Sequence, residues 1–199
     1  MKNKTNRTVS IKIAALIAAI VLVIGCTAGG TVAWLVSKPK PIVNVFTVGN
    51  INAELAETKT AFKIVPGVNI AKDPVATVKA NSEDCYLFMQ PTEENWPKFK
   101  TTEAGSTTRK VEYEIADGWI ELTPKHGVYY REVTKSDTDQ KFPVLKGNKV
   151  TVSSTLTKEE ADAIQKAGDP KLTVAVYAVQ KEGMASAADA WATATANAQ

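Results

Sequence analysis

Cys85 and His126 are the first residues to weigh for chemistry, because a thiolate activated by an imidazole is a nucleophile. The chain has two cysteines, Cys26 and Cys85, and a single histidine. Cys85 stands in the apolar run Cys85-Tyr86-Leu87-Phe88-Met89, where a cysteine behaves as a small buried hydrophobe. His126 stands in the turn-like Pro124-Lys125-His126-Gly127. Packing is therefore the expected role of Cys85. The acidic pairs Glu93-Glu94, Glu159-Glu160 and Asp137/Asp139 lie in loop-like segments or at a helix start, where carboxylates are solvated or complement the helix dipole. Trp96, Trp119, Tyr129 and Tyr130 have the side chains of a sugar-stacking platform, yet aromatic residues in strand-like segments belong more often to a core. The chain lacks HExxH, GxSxG, a phosphate-binding glycine loop and metal-spaced Cys/His clusters. With one histidine, zinc would have to rely on carboxylates, so no catalytic residue, metal site or cofactor is expected.

The N-terminal segment carries a stronger signal. Lys2, Lys4, Arg7 and Lys12 precede an unbroken apolar run over 13–24, and small residues follow as Gly25-Cys26-Thr27-Ala28-Gly29-Gly30. A basic region, an apolar region and a small-residue cut site make the pattern of an export signal. Cleavage is expected between Ala33 and Trp34. Two other outcomes stay open. Val23-Ile24-Gly25-Cys26 resembles a lipobox, which would make Cys26 a lipidation site, and the 24 uncharged residues over 13–36 are long enough to span a bilayer if retained.

The whole chain carries 24 Lys+Arg against 21 Asp+Glu, net +3. Without the four basic residues of 1–33, 20 basic and 21 acidic remain, and the basic sequence pI of about 8.7 is largely the leader's. No basic stripe is left for nucleic acid, which is excluded as a partner. Only Cys85 then remains, so no internal disulfide can form.

From residue 38 onward the pattern is of short strands. Ile51, Ala53 and Leu55 alternate with Asn52 and Glu54, the period of a half-buried strand. Further strands are expected over 62–65, 75–79, 85–90, 111–115, 119–122, 128–133, 149–156 and 172–180. Asp117-Gly118 is expected to join 111–115 to 119–122 as a tight hairpin. Pro66-Gly67, Asp73-Pro74, Lys146-Gly147-Asn148 and Asp169-Pro170 punctuate the gaps. About nine strands at this spacing predict one β-sandwich or barrel. Thr157-Lys158-Glu159-Glu160 is a capping box, and Ala161, Ile164 and Ala167 give its helix an apolar stripe ending at Gly168. A second helix is expected after Ser186, in an alanine-rich tail carrying Trp191, and with one tryptophan to dock it is expected to pack loosely or fray.

Four motifs in order resemble the TasA/camelysin family of exported Gram-positive proteins: Gly29-Gly30-Thr31-Val32-Ala33; Asn44-Val45-Phe46-Thr47-Val48-Gly49-Asn50-Ile51-Asn52-Ala53, whose part from Phe46 matches the family's Phe-x-x-Gly-x-apolar-x-apolar strand; Val65-Pro66-Gly67 followed by Lys72-Asp73-Pro74; and Asn81-Ser82-Glu83-Asp84 before the strand at 85. The resemblance covers residues 25–90. It implies an antiparallel jelly-roll-like β-sandwich with an N-terminal apolar leader helix, processing by a SipW-type signal peptidase, and assembly into biofilm-matrix or surface fibres. Camelysin's protease activity is not carried over, for want of a zinc site. Cys26 beside the glycine pair departs from the family pattern.

The chain thus divides into an export signal (1–33), an extended segment (34–48), a β-sandwich (49–182) and a helical tail (183–199). It is expected to contact the membrane before processing, then to self-associate into fibres outside the cell. A sandwich short of one strand offers an edge that a neighbour's extended segment can fill, and a head-to-tail contact of that kind propagates. The donor residues are expected to be Trp34, Leu35, Val36, Val43, Val45 and Phe46, with Pro39 and Pro41 limiting a longer ladder. The alternative is a cell-surface ligand- or carbohydrate-binding module, tethered in the membrane or lipidated at Cys26.

Overall fold

A ten-residue antiparallel ladder organises the chain in the computed structural model, which describes residues 44–58, 64–103, 106–168 and 170–196. Strands β5 (Cys85–Glu94) and β13 (Lys171–Gln180) pair along their full lengths, from Cys85↔Gln180 to Glu94↔Lys171. Strand alternation sends β5 and β13 side chains to both faces of the sheet. Tyr86 and Phe88 share one face with Tyr177 and Val179, while Leu87 and Met89 share the other with Val176 and Ala178. Nearly all are buried, which requires cover on both sides. The flanks of the ladder are β1 (Asn44–Val48), parallel to β13, and β10 (Tyr129–Val133), antiparallel to β5; β9 (Ile120–Glu121) follows β10, for the order β1-β13-β5-β10-β9.

Two smaller sheets complete the β-rich fold. One orders β11 (Gln140–Pro143), β4 (Val75–Val78) and β2 (Ala53–Ala56); the other orders β3 (Ile70–Ala71), β12 (Lys149–Val152) and β8 (Val111–Glu112). Strands β6 (Lys100–Glu103) and β7 (Ser106–Arg109) form a separate hairpin. Among the described residues β2 packs against both β13 and β1. Arg131 of β10 fastens the main sheet to β11: its guanidinium lies 4.4 Å over Phe142 and 5.0 Å over Trp119, and Trp119 Nε1 donates to the Pro143 carbonyl at 2.9 Å. Lys72, buried just after β3, bonds Glu57 just beyond β2 at 2.7 Å, and its neighbour Asp73 accepts from the backbone N–H and hydroxyl of Thr58.

Several expectations need correction. Residues 111–115 and 119–122 do not form a hairpin. Asp117-Gly118 does turn, with Gly118 at φ +84°, but β8 pairs with β12 and β9 pairs with β10. The turn is instead bound to β10, where Arg131 donates to the carbonyls of residues 117 and 118. Ile115 is left with a single bridge to Leu145. The motif from Phe46 to Ala53 is likewise not one strand. Gly49, at φ +94°, ends β1, and β2 begins in a different sheet. A Cβ there would meet Gln180 Cβ at 2.7 Å, so only glycine fits this switch. The extended segment placed at 34–48 therefore ends inside the main sheet. The leader at 1–33, with Cys26 and Ala33, lies outside the described residues, as do Trp34, Leu35, Val36 and Val43.

Two helices follow sequence signals. Helix α1 (Lys158–Ala167) opens with the expected capping box: Thr157 Oγ1 accepts from the Glu160 N–H, and Glu160 Oε2 accepts from the Thr157 N–H at 2.9 Å. Glu160 also holds the largely buried Lys110 Nζ at 2.8 Å, tying α1 to the residue just before β8. Helix α2 (Ala187–Ala196) is capped by Ser186, whose Oγ accepts from the Asp189 N–H. It does not pack loosely. Ala190, Trp191 and Ala194 are buried against Tyr86, Phe88 and Val179 of the main sheet. Among the described residues no helix is long and apolar enough to cross a membrane.

The capping box gives two measurable consequences. Thr157→Ala should lower stability by about 1 kcal/mol in denaturant titration. The Lys110 ammonium first, then the Thr157 N–H, hold the Glu160 carboxyl below its ordinary value. A depressed folded-state value stabilises fully above the unfolded value, near pH 4.5, and is lost as pH falls through the folded one. The stability gap between the native chain and Glu160→Gln should therefore stay constant from about pH 7 to 5 and narrow below about 4.5. A gap that widens in acid would exclude this role for Glu160.

Candidate functional site

The residues chosen for chemistry are not assembled into a centre. Cys85 is fully buried in β5, and burial, followed by the charge of Asp84, pushes its thiol up to about 12. Cys85 opposes Val133 at one end of the β5–β10 ladder, whereas His126 precedes Tyr129 at the other. Four strand steps alone separate those ends by roughly 13 Å. His126 is exposed, with Nδ1 3.4 Å from a Glu121 carboxylate oxygen. Among the described residues no three His, Cys, Asp or Glu side chains converge to hold a metal ion.

Glu93, Glu94, Glu160 and Asp139 of the acidic pairs are structural partners. Glu93 meets Arg109 at 2.7 Å, Glu94 meets Lys171 at 2.9 Å, and Glu160 serves the cap and Lys110. Asp139 accepts from the Ala80 N–H at 3.0 Å and from Lys79 Nζ, and these two bonds hold its carboxyl below the ordinary value.

Most of the aromatic residues are committed too. Trp96 is 7 % exposed and donates Nε1 to the Val111 carbonyl at 3.2 Å, with Tyr113 edge-on at 5.6 Å. Trp119 is held by Pro143 and Arg131. Tyr130 lies 6.1 Å from Phe88 and packs against the α2 core. Tyr129, half-buried, borders a polar groove of about 630 Å³ with Tyr113, Lys100 and Arg109.

The edge of the main sheet beyond β13 is the feature that combines an accessible backbone with a specific fit. Here β1 lies parallel to β13, with Asn44 opposite Ala175 and Val48 opposite Val179. The other ladders in this sheet are antiparallel, and β13 spends its opposite edge on all ten residues of β5. Parallel pairing is the weaker per residue, and β1 supplies only five pairs. Val45 and Val48 are half-buried and Thr47 is exposed. Beyond β1 no further strand is paired among the described residues. Two of the expected donor residues, Val45 and Phe46, thus lie in β1, opposite Val176 and Tyr177 of their own chain.

Sequence reasoning missed α2 as part of this edge. It packs against β13, β1 and β5, and Val48 joins its core. Trp191 was the only available signal, and its partners come from strands about a hundred residues earlier as well as from β13.

Burial also predicts an inert thiol. In the native protein, iodoacetamide at pH 8 should leave Cys85 unmodified over hours and alkylate it within minutes in denaturant, read by intact mass. Rapid native labelling would reopen Cys85 as a nucleophile. In comparisons with known proteins, no family model, curated protein or solved structure matches this chain.

Proposed function

We propose that this chain is an exported structural protein, a subunit or accessory of extracellular matrix or surface fibres assembled by strand donation. On this reading it is a TasA/camelysin-like jelly-roll sandwich that is processed near Ala33 and self-associates outside the cell. The observation that carries the reading is the parallel docking of β1 on β13. A five-residue strand at the N-terminal end of the domain fills the edge of the longest ladder, and fills it in the weaker orientation. The same segment from a neighbouring copy can occupy that edge, which converts an internal contact into a head-to-tail one. Such a contact does not close on itself, so it extends a filament.

Two features of the motif region add support. Gly49 switches the chain out of β1 with no room for a side chain, so β1 and β2 belong to different sheets with no ladder between them. Lys72 and Asp73 secure residues 57 and 58, anchoring the chain beyond the switch. The half of the motif that stays is thereby separated from the half that is donated.

A glycan-binding surface is the second reading, favoured by the groove beside Tyr129 and Tyr113. Saturable binding of a soluble polysaccharide, lost in Tyr129→Ala, would support it.

Negative-stain microscopy of the chain begun at Trp34 should show regular filaments. A Thr47→Cys/Ala178→Cys pair in a Cys85→Ala background would lock β1 to β13, because these positions oppose each other in register. The oxidised lock should abolish filaments and reduction should restore them. Filaments that form equally well when locked would remove strand donation, and dispersed particles from the unlocked chain would shift the function toward surface binding.

A further inference from the structure

We propose that α2 is a clamp that holds β1 in its own sheet, so that the C-terminal helix controls release of the N-terminal strand. The consequence for assembly rests on the strand-donation reading; the clamp itself does not. Three observations place it. First, α2 packs on β13, β1 and β5, so it lies across the short parallel ladder of the main sheet and its ten-pair antiparallel one together. Second, Trp191 is 7 % exposed and wedged between Tyr177 of β13, edge-on at 4.9 Å, and Phe88 of β5 at 5.4 Å. Tyr177 is also the residue opposite Phe46 in the β1 register. Third, Val48 packs on the cluster that contains Trp191, Ala190 and Ala194.

The energetics follow from this placement. Five parallel pairs at an edge contribute little by themselves, since an isolated short strand pairing is marginal in water. Side-chain burial must supply the rest, and on the face of Val48 that burial comes from α2. The helix is itself conditional. Alanine-rich and ten residues long, it is too short to be stable alone, so its docking depends on Trp191. Undocking α2 uncovers Val48 and Tyr177 together and leaves Val48 on that face with its neighbours in the sheet, Val179 first, and no cover above them. The β13–β5 ladder, ten pairs long and covered on its other face, survives the same event. The weak helix and the weak strand are therefore coupled.

Hydrogen exchange read by mass spectrometry tests this on the full chain, expressed with its N-terminal segment and taken in the form the host releases. In Trp191→Ala, peptides over 45–48 should exchange at least tenfold faster, with peptides over 86–89 unchanged and those over 174–179 losing protection only at the alternate amides that face β1. Trp191→Phe, which keeps an aromatic ring over Tyr177, should fall between the two. Native-like protection of β1 beside an unprotected α2 would overturn the clamp. If Trp191→Ala loosens the whole sheet, the comparison passes to Trp191→Phe, where selective loss at β1 supports the clamp and uniform loss overturns it. Filament growth is read in parallel. Selective release of β1 with faster filament growth supports clamp and donation together, whereas selective release without filaments keeps the clamp and removes donation.

Discussion

The β5–β13 ladder is the constraint on which the other elements depend. Ten consecutive antiparallel pairs fix the register of two strands whose side chains are apolar on both faces over much of their length. A slip by one residue would exchange every side chain between faces, so the ladder is strongly specified. The aromatic residues it holds on one face, Tyr86, Phe88 and Tyr177, form the floor on which α2 docks. The residues it holds on the other require the cover of the smaller sheets. Its two flanks then receive β1 and β10 under different conditions. β10 arrives antiparallel and is fastened to β11 through Arg131, Trp119 and Phe142. β1 arrives parallel, short, and backed by a helix.

That asymmetry links architecture to the proposed function. One flank of the main sheet is secured by stacked side chains between sheets. The other is secured by burial beneath a helix that needs the sheet for its own stability. Exchange of a strand between molecules requires an edge that is specific enough to select its partner and weak enough to release it. β1 meets both conditions: Val48 and Gly49 set its fit, and its orientation and length limit its strength. The ionisable side chains are mostly occupied elsewhere, in caps and cross-strand pairs. A Cys85–His126 pair is not formed, because the described thiol is buried and the histidine sits at the far end of the ladder.

Much of this was legible in the chain, for identifiable reasons. The capping box at 157–160 depends on residues three apart, and the structure contains both of its hydrogen bonds. The strands at 85 and 172 were readable because long apolar or alternating runs bounded by turn residues leave little choice. The hairpin at 117–118 was misread because a turn sequence specifies a reversal without saying which strand lies beyond it. The partners beyond it, β12 for β8 and β10 for β9, come from further along the chain. The 46–53 motif reads as one strand only through its resemblance to the family pattern; its apolar positions change parity at Gly49, from 46 and 48 to 51 and 53, and the steric limit at that glycine comes from Gln180.

Local sequence determined which segments are extended, where the helices begin and where the chain turns, since propensity, alternation and capping act over a few residues. It also determined that the chain is mainly β. Only tertiary structure decided that β1 joins β13 in parallel and that Trp191 secures the tail. It also decided that Cys85 and His126 lie at opposite ends of a ladder. Each of these depends on contacts between residues tens to more than a hundred positions apart, where burial and steric fit choose among partners that are locally equivalent.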